Sequence, residues 1–423
     1  MSAMKIDESL IDELFRAEEM LEAGGSFADP LPQWARLRAQ SPVHKGSIME
    51  CMGISPDDVP GGLQIPGHSY YSVFGFNAVS EVLTRKDDFY SGNYYDMHIP
   101  EEFGETILNM DGLRHRRYRN VIQSFFQPDV ARSWWREMVI DPVVEQLLAS
   151  LEGKTSVDVN ARFFAILPQH TMTSGFGLSF DEGLELRRLM SATLRATTPE
   201  ERHVGKEGGR RLLERAILER QRDPRDDLIS RLAHGDLEED DGTTRKLTVE
   251  EITSFCRLIV FAGGETTWRM MALAFYALLS HPEQLAQVKA DPSLLEAAVL
   301  ESVRWHPELV FPRKVKRDTV LEGVELPEGT QLHLCLGAAN RDPARWGNPD
   351  QFDINRPFKR SVAFVAGAHS CLGQHVARQE IEAALGGLLE RFPNIRWDPS
   401  KPSPKIIGNL IQRGPDALHV LLD

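Results

Sequence analysis

The chain has 423 residues, 42% of them hydrophobic and 26% charged, which supports a sizeable core and excludes wholesale disorder. Its 48 Lys and Arg against 62 Asp and Glu leave a net charge of −14, which argues against the basic footprint of a nucleic-acid protein. The four cysteines, at 51, 256, 335 and 371, form no C-x-x-C pair and are too sparse for a disulfide framework or a paired-thiol zinc site.

Residues 1–15 carry one Lys among several acids and no apolar run, so they do not read as a secretory signal. A soluble, reduced, cytoplasmic protein is expected. No internal repeat or long linker divides the chain. Up to about residue 100, Pro and Gly turns alternate with short strand-like runs such as Ser69-Tyr-Tyr-Ser-Val-Phe74.

From 112 to 300 the period is mostly helical. The segment Asp111-Gly-Leu-Arg114-His115-Arg116-Arg117-Tyr118-Arg119-Asn120 concentrates positive charge in an acidic chain. His115 and Arg119 stand four apart and share a helix face. Arg114, Arg116 and Arg117 form either a solvated basic face or a docking patch for an acidic partner. The acidic run 238–242 reads as a solvated loop between helices.

Thr248-Val-Glu-Glu251 reads as a capping box. Apolar Ile252, Phe255, Ile259, Phe261 and Ala262 follow, and the pattern runs on to Leu279, a helix about 45 Å long at 1.5 Å per residue. Arg257, Glu265 and Arg269 exclude a bilayer span. Gly263 and Gly264 each cost ~1 kcal/mol relative to Ala at mid-helix, so the position needs room for another group, or bulges locally. Glu265 and Thr266 come next. They could carry protons into a closed site. Alternatively, Glu265 pairs with Arg269 at i+4 and the threonines back-bond to the helix.

Leu295, Val299, Val303 and His306 define an amphipathic helix that stops at Pro307, and Glu301 and Arg304 can pair within it. Strand signals follow at 320–324 and 331–336, around the turn Leu326-Pro327-Glu328-Gly329. Phe364-Val-Ala-Gly367-Ala-His369-Ser-Cys371-Leu-Gly373-Gln374 then leads into a helix over about 374–392, with Val376, Ile381, Leu385 and Leu388 on one face. Cys371 sits just before that helix's N-terminus, where unpaired N–H groups and the dipole favour a thiolate. Gly367 and Gly373 permit a tight turn and the close approach of something flat. A thiolate beside a flat surface suits an axial haem ligand. A buried structural cysteine is the other reading. The whole pattern is mostly α with a small β region, an α+β class rather than alternating βαβ.

Residues 364–378 resemble the haem-binding signature of the cytochrome P-450 superfamily, F-G-x-G-x-H-x-C-x-G-x-x-x-A-R. Phe364, Gly367, His369, Cys371, Gly373, Ala377 and Arg378 match, and Val365 stands where the family usually has Gly. Ala262-Gly-Gly-Glu265-Thr266-Thr267 resembles the oxygen-activation motif [AG]-G-x-[DE]-T-[TS]. Glu301-x-x-Arg304 with Arg356 resembles the family's E-x-x-R helix and meander, and 111–119 its D-x-x-x-H-x-x-x-R helix. The landmarks keep family order over about residues 30–420.

The resemblance implies a single cytochrome P-450 domain over 1–423, with 1–30 as an N-terminal extension and the haem between the long central helix and the Cys-loop helix. It implies haem b (iron protoporphyrin IX), with Cys371 as the iron ligand. His115, Arg119, Arg313 and His369 would cradle the propionates, and Phe364 and Gly373 belong to the loop against the cofactor. Glu265 and Thr266 would deliver protons to dioxygen, while Glu301, Arg304 and Arg356 would be structural. Leu258, Phe261, Ala262, Leu309 and Phe311 would line the space over the haem, and Tyr94, Tyr95, Met97 and Ile99 would sit in the variable lid. The implied activity is hydroxylation of a lipophilic small molecule with O2. Two electrons would come from NADH or NADPH through a reductase and a ferredoxin-type carrier docking on the basic thiolate-side face. A haem-dependent oxidase or peroxygenase is the rival within the fold, and a haem-based ligand sensor the rival from another class. A peroxide-driven enzyme often lacks the Glu265–Thr266 pair, and a sensor has no need of it.

Overall fold

The computed structural model describes residues 28–55, 64, 67–91, 103–306 and 310–423. Most of the N-terminal extension, the lid candidates Tyr94, Tyr95, Met97 and Ile99, and Leu309 lie outside the described residues.

The organising element is an unbroken helix, Val249–Ser280, of 32 residues. It begins where expected. Thr248 Oγ1 accepts from the Glu251 amide at 3.2 Å, and the Glu251 carboxylate accepts from the Thr248 amide at 2.7 Å, so two otherwise unpaired donors are satisfied at once. On either side of its midsection the helix is largely apolar and buried among other helices, over 252–260 and 267–279. Gly263 and Gly264 do not bulge it. A Cβ on Gly263 would stand 2.9 Å from Met172 Sδ, and one on Gly264 would stand 2.3 Å from Gln169 Oε1. The group needing room is therefore the helix Leu167–Gly175, which packs against the central helix there.

The cysteine-loop helix, Gln374–Arg391, packs directly on the central helix and on the helix Leu295–Trp305. That last helix carries a buried charge network. Arg304 Nε and an η nitrogen each donate to Glu301 at 2.7 Å, and Arg356 Nε donates to Glu301 Oε1 at 3.1 Å. Arg304 also donates to the carbonyls of Asn340 and Pro349, both at 2.9 Å. Every polar atom is thus paired, the condition under which buried charge is tolerated. Removing one partner of such a buried pair typically costs about 3–5 kcal/mol. The network ties the helix to segment 340–356, which leads into the cysteine loop.

The β portion is small. Strands β1 (Val43–Lys45), β2 (Tyr70–Val73), β3 (Phe89–Tyr90), β4 (Val310–Val315) and β5 (Gln331–Cys335) form one sheet in the order β1-β2-β5-β4-β3. β2 and β5 run parallel, and the other pairs are antiparallel. Two details depart from the sequence reading. Residues 320–324 are not one strand. They fold back at Glu322 and Gly323, both with positive φ, so that Thr319–Leu321 pairs with Val324–Leu326. The acidic run 238–242 closes a hairpin between Asp236–Glu238 and Thr244–Lys246, rather than a plain loop between helices.

The cysteine-loop helix also buries an acid. Glu380 is 1% exposed, and its Oε1 finds no partner among the described residues. Burial pushes its carboxyl up to about 8, and a contact with Thr171 offsets this only partly. In the unfolded chain the same carboxyl ionises near 4.5. Between those values the folded state holds a proton that the unfolded state has lost, so stability falls as pH rises. Urea denaturation of Glu380→Gln beside the parent at pH 5, 7 and 8.5 is expected to show a stability advantage that grows to about pH 8 and then levels. Parallel profiles would contradict this burial of a protonated acid.

Candidate active site

Three elements distant in sequence meet at one corner. The helix Gly112–Gln123 brings His115 and Arg119, β4 brings Arg313, and the turn Gly367–His369 brings His369. His115 and Arg313 are 3% and 4% exposed. The rings of His115 and His369 lie 4.0 Å apart, tilted by 32°. Arg119 donates to the Ser370 carbonyl at 2.7 Å, one residue before Cys371. Burial, then the neighbouring His369 and Arg119, pushes His115 down to about 3, and Asp111 opposes this in part. His369 is also lowered, first by burial.

Asp111, which caps this helix, received no role in the sequence reading. Its carboxylate meets Lys316 at 2.7 Å and His369 Nε2 at 3.5 Å, and these partners together with the Gly112 amide hold it well below the usual carboxylate range despite burial. Its place at the head of the basic segment was the available signal. Among the described residues this one carboxylate, already shared by Lys316, is the acid that faces the corner. His115 Nε2 is buried without a partner among the described residues.

The cysteine loop is held by its backbone. The Cys371 amide donates to the Phe364 carbonyl at 2.9 Å, and Cys371 is half-buried and in no disulfide. Val365 adopts φ +50°, a left-handed conformation that a β-branched residue rarely takes and that glycine takes freely. The substitution therefore keeps a glycine-like turn. Its strain is offset by burial of the Val365 side chain, 6% exposed, in the cluster with Leu83 and Val362. Gly367 has φ +73°, and a Cβ there would stand 2.2 Å from the Leu83 carbonyl oxygen. Gly373, just ahead of the helix, faces open space, since a Cβ would meet nothing within 4 Å.

The midsection of the central helix is the other wall. Its flanks are buried, yet Ala262 is exposed and Phe261, Gly263, Glu265 and Thr266 are half-buried. Thr266 Oγ1 donates to the Ala262 carbonyl at 2.9 Å, the back-bond considered from the sequence. Glu265 meets Arg269 only at 3.9 Å. Burial raises the Glu265 carboxyl, against Arg187 and Trp268, which lower it. Arg187 in turn donates to Gln169 at 3.1 Å, a buried network that sequence spacing did not reveal. Of the apolar lining candidates, Phe261 stacks on Phe103 at 4.9 Å, and Phe311 lies under the Arg313 guanidinium at 4.8 Å. Leu258 is 4% exposed within the main core.

Of the remaining basic residues, Arg114 pairs with Glu105 and Arg117 with Asp240. Arg116 is exposed, with no acid paired to it among the described residues.

A buried cationic corner, a glycine facing open space, a half-buried thiol before a helix and an accessible mid-helix acid–hydroxyl pair fit a flat, dianionic cofactor such as haem. The family model for cytochrome P450 matches residues 210–415. The biotin biosynthesis cytochrome P450 of Bacillus subtilis (strain 168) is 30% identical over 376 residues, 87% of this chain and 90% of that protein. The C-19 steroid 1alpha-hydroxylase of Sorangium cellulosum (strain So ce56) is 33% identical over 338 residues, 76% of this chain and 84% of that protein. The crystal structure of CYP109E1 from Bacillus megaterium in complex with corticosterone superposes with a TM-score of 0.78 at 25% identity, covering 97% of this chain and 99% of that one. The chain belongs to the cytochrome P450 family and is an oxidoreductase of the monooxygenase type. The family implies a haem cofactor. No helix among the described residues is long and apolar enough to cross a membrane.

Gly367→Ala forces a Cβ both into a positive-φ position and against backbone. It is expected to lower stability by at least about 2 kcal/mol and to reduce the haem retained on purification. A change within about 0.5 kcal/mol with full haem content would show that the close approach to Leu83 is dispensable.

Proposed function

We propose that the protein hydroxylates a lipophilic small molecule, using haem b held by Cys371, dioxygen, and two electrons passed from NADH or NADPH through a ferredoxin-type carrier in the cytoplasm. The observation that carries this reading is the accessible midsection of an otherwise buried helix, bearing Glu265 and Thr266. The haem, when bound, supplies the iron at which dioxygen is activated. His115, Arg119, Arg313 and His369 hold its propionates, since charge-assisted bonds to an anion relieve the buried positive corner. Phe364 and Gly373 keep the loop close to the macrocycle.

The Thr266 hydroxyl proton is committed to the Ala262 carbonyl, so its oxygen lone pairs remain as an acceptor. Glu265, raised by burial, can hold a proton at a pH where an exposed carboxylate has lost it. The pair can therefore receive and release protons without opening the site to bulk water. Phe261, Ala262, Phe311, Leu258 and Leu309 supply an apolar surround for the substrate. Steroids are the first compounds to try, because two of the similar proteins are described with them. Exposed Arg116 on the helix that carries Arg119 supports docking of an acidic carrier on the thiolate side.

Thr266→Ala is expected to bind the same compounds, scored by the haem spin-state shift, while NAD(P)H consumption is diverted from product to peroxide. Glu265→Gln is expected to slow turnover on the order of 10²-fold with binding unchanged. Full coupling in the first variant and full turnover in the second would remove both residues from proton delivery.

A further inference from the structure

A cavity of about 370 Å³ lies between the helix Leu295–Trp305, segment 346–365 and the start of the cysteine-loop helix. None of His115, Arg119, Glu265, Thr266, Arg313 or Cys371 lines it; it meets the candidate active site only through Phe364 and Val365 of the cysteine loop, from the outer side. Its size falls in the range that holds small organic ligands.

The lining is one-sided in chemistry. Leu300, Ile354, Phe358 and Phe364 supply apolar surface, and Phe358 stands 74% exposed. The polar lining is rich in donors and cations, among them Trp346, Lys359, Arg360 and Arg378. Its acid, Glu301, already accepts from Arg304, Arg356 and the Asp353 amide. Lys359 Nζ donates to the Arg345 carbonyl at 2.9 Å, and Arg378 reaches Glu296 with one η nitrogen at 2.6 Å. Two donors nevertheless find no acceptor among the described residues. Trp346 is only 3% exposed, and its Nε1–H is unpaired; the Arg378 Nε–H is unpaired as well. A buried donor left so costs about 1–3 kcal/mol, which an acceptor entering the cavity recovers.

We infer that this cavity is a second binding site, for a small organic anion: a carboxylate carried on an apolar body. The carboxylate accepts from Trp346 and Arg378, with Arg360 adding positive potential, and the body packs on Phe358 and Phe364. Phe364 is also the residue whose carbonyl takes the Cys371 amide proton at 2.9 Å. A ligand here touches the cysteine loop from outside the reaction site, the position of an effector rather than a substrate.

The test is calorimetric titration of the holoenzyme with phenylacetate, with an azole saturating the substrate side throughout. The variants are Trp346→Phe, which keeps the ring and removes the donor, and Ala297→Phe, which fills the cavity. Saturable binding is expected in the parent, about 10-fold weaker in Trp346→Phe and absent in Ala297→Phe. Neutral phenylacetamide should bind the parent at least about 10-fold more weakly than the acid. The amide comparison needs no variant, so it stands even if a substitution disturbs folding. Absence of saturable phenylacetate binding, equal affinity for the amide, or unchanged binding in both folded variants would overturn the site.

Discussion

The gathering of two arginines and two histidines in one buried corner is the constraint on which the site depends. His115, Arg119, Arg313 and His369 come from a helix, a strand and a loop far apart in sequence, and among the described residues Asp111 is the carboxylate that meets them. Desolvation and mutual repulsion keep His115 neutral, with a pKa of about 3. A polypeptide has little reason to assemble such a corner for its own stability, because taking guanidinium groups out of water costs free energy. A dianion that binds only the folded arrangement reverses the sign of that cost and couples cofactor binding to folding.

The cysteine loop shows the complementary principle. Its conformation is imposed by backbone restraints rather than by side-chain chemistry at Cys371. Val365 accepts a left-handed turn because its side chain is buried with Leu83, and Gly367 lies against the Leu83 carbonyl because it has no Cβ. Strain held by surrounding packing is common where a functional group must point one way. The Glu301–Arg304–Arg356 network works at longer range, fixing the segment that enters this loop. The cysteine loop is thus positioned by parts remote from Cys371 in sequence.

Much of this was legible in the sequence because the signals are local. The capping box at Thr248 and Glu251, the amphipathic cysteine-loop helix and the Glu301–Arg304 spacing each depend on residues within one or two turns. What local spacing left open or missed has the opposite cause. Gly263 and Gly264 answer to Met172 and Gln169 on another helix, which spacing cannot show. Nothing in its local spacing marks Glu380, yet it is buried where neighbouring elements cover it. The acidic run near 240 looks like a solvated loop until Asp236–Glu238 and Thr244–Lys246 are seen to pair across it. Arg114 and Arg117 look like free charge until Glu105 and Asp240 arrive beside them. The role of Val365 follows from its φ, which composition does not encode.

The central claim is that the Cys371 sulfur, deprotonated, is the protein's bond to the haem iron. It is tested most directly by reducing freshly purified protein with dithionite, adding carbon monoxide and recording the difference spectrum. The account predicts the red-displaced Soret band of cysteinate coordination in the parent and its loss in Cys371→His with haem retained. A parent lacking that band, or a Cys371→His protein that keeps it, would contradict the account.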